Sequence, residues 1–316
     1  MLQGLARLRS NEMEIIHSQY QKAGTVRIDE RTCRHCGICV KICPVEVLTM
    51  EDVTWRIRIS DESPFGCIAC GHCMMICPNG SITVTGRGIL PEDILPLPDS
   101  KERASSDALA ALMLSRRSVR RFTREEVDRE LLKRIVEMAS SAPMGIPPWD
   151  VGCVTVCGRN RVQDIANSII KGYEGFLRTF KPWTLAVMRP FMRRETYTKF
   201  RYFILPLAEQ YVNAHRNGND RLFYNAPAVM LFSHSAYAEA ADAAIACTYA
   251  MLAAESFGLG STLIGGAPPI LQRNKPLCRS LGIPDGYTPF LALIIGHPDV
   301  DFKRAIRRRF SFADVR

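Results

Sequence analysis

Eight of the 12 cysteines in this chain fall into two runs of one pattern. Cys33, Cys36, Cys39 and Cys43 precede Pro44; Cys67, Cys70, Cys73 and Cys77 precede Pro78. This CxxCxxCxxxCP spacing is the one at which thiolates hold cubane iron–sulfur clusters, so one-electron chemistry is expected. Zinc binding by the CxxC pairs is the alternative, but a zinc site does not demand this spacing twice. Gly37, Ala69 and Gly71 are small enough for the backbone to wrap closely around an inorganic core.

The elements around the cysteines repeat. In each half a cysteine triplet is followed by a fourth cysteine, a proline and a β segment, Val47–Met50 or Ser81–Val84. That is an internal duplication. Val26–Ile28 leads in as a short strand, and the alternating Trp55–Ile59 segment predicts a small hairpin. Residues 25–90 as a whole resemble two-cluster bacterial ferredoxins. The resemblance implies two 4Fe–4S clusters, each taking its fourth ligand from the other run. Cys33, Cys36, Cys39 and Cys77 would hold one, and Cys67, Cys70, Cys73 and Cys43 the other. His35 and His72 lie between cluster cysteines, where an N–H could tune a potential or simply face water.

A second kind of chemistry is written further along. Ser115-Arg116-Arg117-Ser118-Val119-Arg120-Arg121-Phe122 combines dense arginine with a hydroxyl at a turn between helices. Guanidinium forks suit phosphate, although such a run alone also reads as a solvated basic surface. Two other segments follow: Phe257-Gly258-Leu259-Gly260-Ser261-Thr262-Leu263-Ile264-Gly265-Gly266, and Gly296-His297-Pro298 with Lys303, Arg304, Arg307, Arg308 and Arg309 behind it. Together, over about residues 111–316, the three resemble the nitroreductase family of FMN flavoproteins.

The resemblance implies FMN as cofactor and assigns residues to it. Arg116 and Ser118, with Arg117 beside them, would lie near the phosphate. Arg120 would sit near the pyrimidine edge, where a cation stabilises anionic reduced flavin. Ile264, Gly265 and Gly266 match the segment whose backbone N–H faces flavin N5. Arg308, then Arg304, match the phosphate-binding tail. One segment departs from the family pattern. Ala142-Pro143-Met144-Gly145-Ile146-Pro147-Pro148-Trp149 lacks the usual Ser, Asn and Gln, leaving Pro143, Met144 and Gly145 to touch the flavin through backbone and apolar contacts. No catalytic side chain is expected, because the flavin does the chemistry.

These sites need positioning elements. Helices are predicted at 106–115, 124–141, 160–170, 197–217, 236–257 and 268–280, and strands at 151–157, 227–233, 261–264 and 289–296. The mixed order is α+β: a ferredoxin-like module, then a nitroreductase-like domain. Expected boundaries are a helical extension at 1–24, the cluster domain at 25–90, a Pro-rich linker at 91–110 and the flavin domain at 111–316. Segment 171–225, with Tyr173, Phe176, Trp183, Arg193, Arg194 and Tyr202, reads as a lid or as ordinary packing. Helix 236–257 is Ala-rich and corresponds to the family's dimer core, with Asp242 structural. Cys153, Cys157, Cys247 and Cys278 lack ligand spacing and read as packing residues.

The net charge is +9, from 41 Lys and Arg against 32 Asp and Glu. With no nucleic-acid motif, this points to an acidic partner such as ferredoxin or flavodoxin, or to peripheral membrane contact. No signal peptide or long apolar run is apparent, and thiolate clusters need reducing conditions, so a cytoplasmic location is expected. The reading that joins these features is a converter. A low-potential one-electron donor feeds two clusters, then FMN, then two-electron reduction of a small organic acceptor such as a nitroaromatic, quinone or activated alkene. The alternatives are an electron-transfer subunit serving a partner enzyme, a redox sensor, and an NAD(P)H-linked oxidoreductase; no GxGxxG fingerprint is present.

Overall fold

The structure, a computed structural model, describes residues 22–63, 66–145 and 150–314. Apart from 22–24, the expected N-terminal helical extension lies outside the described residues. The chain divides into two compact units: residues up to 103 with 143–152 and 234–243, and residues 104–142, 153–233 and 244–316.

In the first unit β1 (Thr25–Ile28) pairs antiparallel with β4 (Ile82–Thr85), Val26 opposite Val84. A second hairpin joins β2 (Leu48–Met50) to β3 (Ile57–Ile59), with Leu48 opposite Ile59. It is shorter than the alternation suggested. Trp55 is exposed with φ of 58°, so it belongs to the turn, and pairing starts only at Ile57. Two one-turn helices, α1 (Ile38–Ile42) and α2 (His72–Ile76), each follow a glycine in the left-handed region, Gly37 at φ 69° and Gly71 at φ 73°. Side chains there would be strained, so each cysteine loop turns on its glycine. Val26, Val47, Leu48, Ile57, Met74, Ile82 and Val84 form the core beneath.

The second unit contains α3 (Ser106–Ser115) and α4 (Arg129–Ser140). The latter starts later than the sequence suggested, because the Asp128 carboxylate accepts from the Glu130 N–H at 2.7 Å and caps the helix there. Leu132, Ile135 and Ala139 then bury one face, each large side chain contributing roughly 1.5–3 kcal/mol. After β5 (Val151–Cys157), α5 (Arg159–Thr179) runs well past its expected end at 170. Two glycines, Gly172 and Gly175, lie in this extension. A Cβ on Gly172 would lie 2.3 Å from the Ile270 side chain, so this glycine permits a close helix contact.

The segment expected as one helix at 197–217 is segmented. Short helices α6 (Pro182–Met188) and α7 (Arg194–Lys199) lead to a π turn at Phe200–Ile204 and then α8 (Leu205–Arg216). Pro206 has no N–H to give the α ladder. The Leu205 N–H reaches back to the Phe200 carbonyl instead, the wider spacing of a π turn. β6 (Ala228–Ser235) precedes α9 (Ala240–Ser256), which begins four residues later than expected, and β7 (Gly260–Ile264) follows. The helix expected at 268–280 is two, α10 (Pro268–Leu271) and α11 (Lys275–Ser280). The Asn274 side chain caps the second by accepting from Leu277 N–H at 3.1 Å. β8 (Tyr287–Gly296) completes a sheet ordered β5-β6-β8-β7, with β7 and β8 antiparallel. Buried Val162, Ile165, Ile169, Leu222, Phe223, Val229, Leu231, Ala292 and Ile294 form the core of this α+β unit.

Candidate functional site

The two cysteine sets interleave in space. A hollow in the first unit is lined by Cys33, Cys36, Cys39 and Cys77, with Gly37, Ile57, Asn79 and Ser81 around them. Cys43 belongs with the other set. Burial first, with Cys67, Cys70 and Cys43 acting in the same direction, pushes the Cys73 thiol up to about 12. Cys67 is likewise raised, first by burial and then by Cys70 and Cys43. Cys39 is raised by burial, with Cys33 and Cys36 adding to the effect. Thiols crowded in this way need a cationic core to ionise together.

The donor set fits such a core. Four thiolates per set is the complement of a cubane, which places each sulfur on a separate iron. Among the described residues no group of three or more His, Cys, Asp or Glu side chains is arranged around a single metal ion. Backbone N–H groups already aim at sulfur: Ala69 donates to Cys67 Sγ at 3.4 Å and Ser81 to Cys77 Sγ at 3.2 Å. At Cys77 burial works against ionisation, but hydrogen bonds from Ser81, Asn79 and Gly80 outweigh it and hold the thiol below its usual value. His35 Nδ1 stands 3.9 Å from Cys33 Sγ and its Nε2 3.8 Å from Glu30, whereas His72 is exposed.

In the second unit the three expected cofactor segments come together. Ser118 and Ser261 form a parallel bridge, Val119 N–H donates to Ser261 O at 3.0 Å, and Thr262 Oγ1 donates to Val119 O. Phe122 bridges Pro298, Thr123 N–H donates to His297 O at 2.9 Å, and Arg121 pairs with Asp299 at 3.1 Å. Gly260 is required at this seam, since a Cβ there would lie 2.8 Å from the Val119 side chain. The arginine turn is thus stitched to both β7 and the start of the tail.

Arg116 and Arg117 line one cleft with Met113, Leu114, Ile306, Arg307 and Arg308. Burial lowers the pKa of Arg116, and the nearby Arg308 charge lowers it further, with Glu255 opposing. Like charges converging in a cleft are unfavourable alone and favourable around an anion. Arg304, the second choice for the tail, is exposed and does not line that cleft. Ser118 is exposed beside it.

Arg120 lies 5.8 Å from the Tyr224 ring centroid. Ile264 is buried at the end of β7, and Gly265 is open: a Cβ there would meet nothing within 4 Å. Gly266 is closed on its other side, where a Cβ would come 2.7 Å from the Tyr211 hydroxyl, and Tyr173 donates to its carbonyl. Tyr173 was named from sequence within the 171–225 segment, but Tyr211 was not singled out. Tyr173 continues the buried stripe of α5, and a buried phenol on such a stripe must find an acceptor, which was the available signal. Pro143, Met144 and Gly145 fall in the first unit, where a Cβ on Gly145 would be 3.3 Å from Asp242 Oδ2; residues 146–149 lie outside the described residues. Cys247 and Cys278 are buried, and Cys153 and Cys157 half-buried.

One unit therefore offers eight cysteines in two sets for inorganic clusters, and the other offers an arginine cleft and an open glycine at the end of β7: a redox protein with an anionic cofactor. A 4Fe–4S dicluster domain model matches residues 25–78, and the nitroreductase family model matches residues 113–297. The chain belongs to the nitroreductase family of oxidoreductases, with a 4Fe–4S dicluster domain ahead of the family domain.

Among similar proteins is the FMN reductase [NAD(P)H] of Bacillus subtilis (strain 168), 29% identical over 182 residues, which are 58% of this chain and 62% of the relative. The chain thus spans less than two thirds of the length of that curated relative. A nitroreductase with bound FMN from Bacteroides fragilis shares the fold at TM-score 0.51 and 17% identity, covering 66% of this chain and 98% of that one. A second, from Desulfitobacterium hafniense, is 21% identical at TM-score 0.48 and covers 66% and 97%. No helix among the described residues is long and apolar enough to cross a membrane.

Proposed function

We propose that the chain is an iron–sulfur flavoprotein that takes electrons from a low-potential carrier, ferredoxin or flavodoxin, through two 4Fe–4S clusters to FMN. It then reduces a small organic acceptor by two electrons, a nitroaromatic, quinone or activated alkene. The observation that carries this reading is the Arg116–Arg308 pair in a cleft lined by Arg117 and Arg307, in a chain that also carries two complete four-cysteine sets. Flavin supplies the junction between one- and two-electron chemistry.

In this reading the chain's own residues bind, orient and tune. Arg116 and Arg308 hold the phosphate, with Arg117 and Arg304 strengthening the positive field and Ser118 supplying a hydroxyl. Arg120 supports negative charge at the pyrimidine edge. Ile264, Gly265 and Gly266 present backbone N–H to the reacting edge, and the lack of a Cβ at Gly265 permits close approach. Pro143, Met144 and Gly145 are assigned to apolar and backbone contact. Residues 25–90 are taken as the cluster domain, 91–110 as linker and 111–316 as flavin domain. Exposed Ile245 and Tyr249 on the Ala-rich α9 support a homodimer. The +9 charge supports an acidic carrier.

The test is anaerobic reduction of the purified chain, then a screen of acceptors following flavin absorbance. Reoxidation by one acceptor class with multiple turnovers is expected. If no small molecule reoxidises it while a protein partner does, the electron-transfer-subunit reading takes its place. The name of the Bacillus relative favours one further reading, NAD(P)H as donor. Comparing NADPH with reduced ferredoxin under identical conditions separates the two.

A further inference from the structure

Arg87 is a charged residue in an unusual position. It lies in the turn after β4, is 7% exposed, and adopts φ of 50°. Burial of a cation and a left-handed backbone at a non-glycine residue are both costs. A turn residue chosen only for shape would incur neither. Its Nε donates to the Lys22 carbonyl at 2.6 Å, and among the described residues no carboxylate neutralises it.

Its surroundings are the second cluster site. Next to Lys22, Gly24 N–H donates to Cys67 O at 2.7 Å, and a Cβ on Gly24 would be 3.3 Å from Cys67 Sγ. The turn bridge Gly86–Ile89 carries Ile89 against the same loop, where a Cβ on Gly71 would be 2.9 Å from Ile89 Cδ1. Among the described residues the first site has no equivalent buried cation. By the spacing that relates Cys33 to Cys67, Arg87 corresponds to Val53, which is 88% exposed. Arg34, at the rim of the first hollow, is solvent-exposed and therefore screened.

We propose that Arg87 is a potential-tuning residue that raises the reduction potential of the cluster held by Cys43, Cys67, Cys70 and Cys73 relative to its partner. Adding one electron to a thiolate-bound 4Fe–4S core makes its charge more negative, with no bond formed and no proton moved. A buried cation on the segment that packs against the second cysteine loop stabilises that reduced form far more than an exposed one does. The two otherwise duplicated sites then differ in potential, and the second becomes the preferred resting place of the first electron.

The inference rests on the dicluster assignment. The experiment is potentiometric titration of the full chain with dithionite, followed by EPR, on wild type, Arg87→Gln and Arg87→Lys, with iron and sulfide measured on each. The Cys36→Ser background assigns which signal belongs to the second cluster. Arg87→Gln should shift the second cluster's midpoint to more negative potential and leave the first unmoved, while Arg87→Lys keeps it near wild type. Unmoved or equally moved midpoints in Arg87→Gln overturn the proposal. Should the Gln variant fail to hold both clusters, the Lys variant decides: the charge is kept, so a clear negative shift there overturns it. Wild-type protein that binds iron for fewer than two clusters instead overturns the dicluster assignment itself.

Discussion

The Tyr173 hydroxyl donates a hydrogen bond to the Gly266 carbonyl oxygen at 2.6 Å, across a buried contact that joins α5 to the loop after β7. Burial pushes the phenol's pKa up, so it remains a proton donor at any physiological pH. Tyr211 closes the same glycine from another side. The loop assigned to the flavin edge is therefore fixed by two tyrosines rather than by its own sequence.

Tyr173→Phe should leave that carbonyl unsatisfied, at a cost of about 1–3 kcal/mol. Calorimetry should register a lower melting temperature by several degrees. Gly266→Ala should be worse, because its methyl meets the Tyr211 hydroxyl at 2.7 Å. Stability unchanged in both would mean that the loop is not held this way.

Arg116 and Arg308 give an effect with opposite signs in two states. Without an anion the pair repels, so Arg308→Ala should slightly stabilise protein stripped of flavin. With FMN bound the same change should weaken affinity about 10-fold, some 1.4 kcal/mol. Flavin titration by fluorescence quenching and thermal melts of both forms check the two signs.

Cys43 follows the first triplet in sequence but sits with the second in space. Cys43→Ser should accordingly perturb the cluster of Cys67, Cys70 and Cys73, and Cys77→Ser the other. EPR of the reduced variants, set against Cys36→Ser, distinguishes this from ligation within each run. Cys36→Ser should also abolish carrier-driven turnover while sparing direct chemical reduction of the flavin.

Cys247 gives a pH prediction. Burial, with Cys153 nearby, raises its thiol above the ordinary 9.0. The folded state favours the neutral thiol, so this contribution is fully present below the unfolded pKa. It is lost as pH rises toward the folded value, at up to about 1.4 kcal/mol per pH unit. Urea unfolding of wild type should weaken between pH 8 and 10 more steeply than that of Cys247→Ala; parallel slopes would refute the assignment.

The parts of this molecule that sequence made legible are those where chemistry dictates spacing. The cysteine runs, the arginine turn and strands such as Val151–Cys157 read directly. The helix expected to end at 170 runs on through Gly172, whose close packing on Ile270, distant in sequence, is not visible in the sequence. The π turn at Phe200–Ile204 arises from Pro206 inside an otherwise helical run, where the chain widened rather than stopped. Asp128 and Asn274 cap α4 and α11 where the sequence reading set other helix bounds. Arg87 was invisible because nothing in a lone arginine after a strand says that it is buried.

The exchange of Cys43 and Cys77 between the two halves has a consequence for biogenesis. With Cys43 and Cys77 assigned across the halves, neither half of the duplication would own a complete ligand set, so neither would mature alone. Inserting the first cubane would tie both halves into register and prearrange the donors for the second, and losing either would loosen both. Loading would then be cooperative, and a population short of iron should divide into full and empty molecules rather than accumulate half-filled ones.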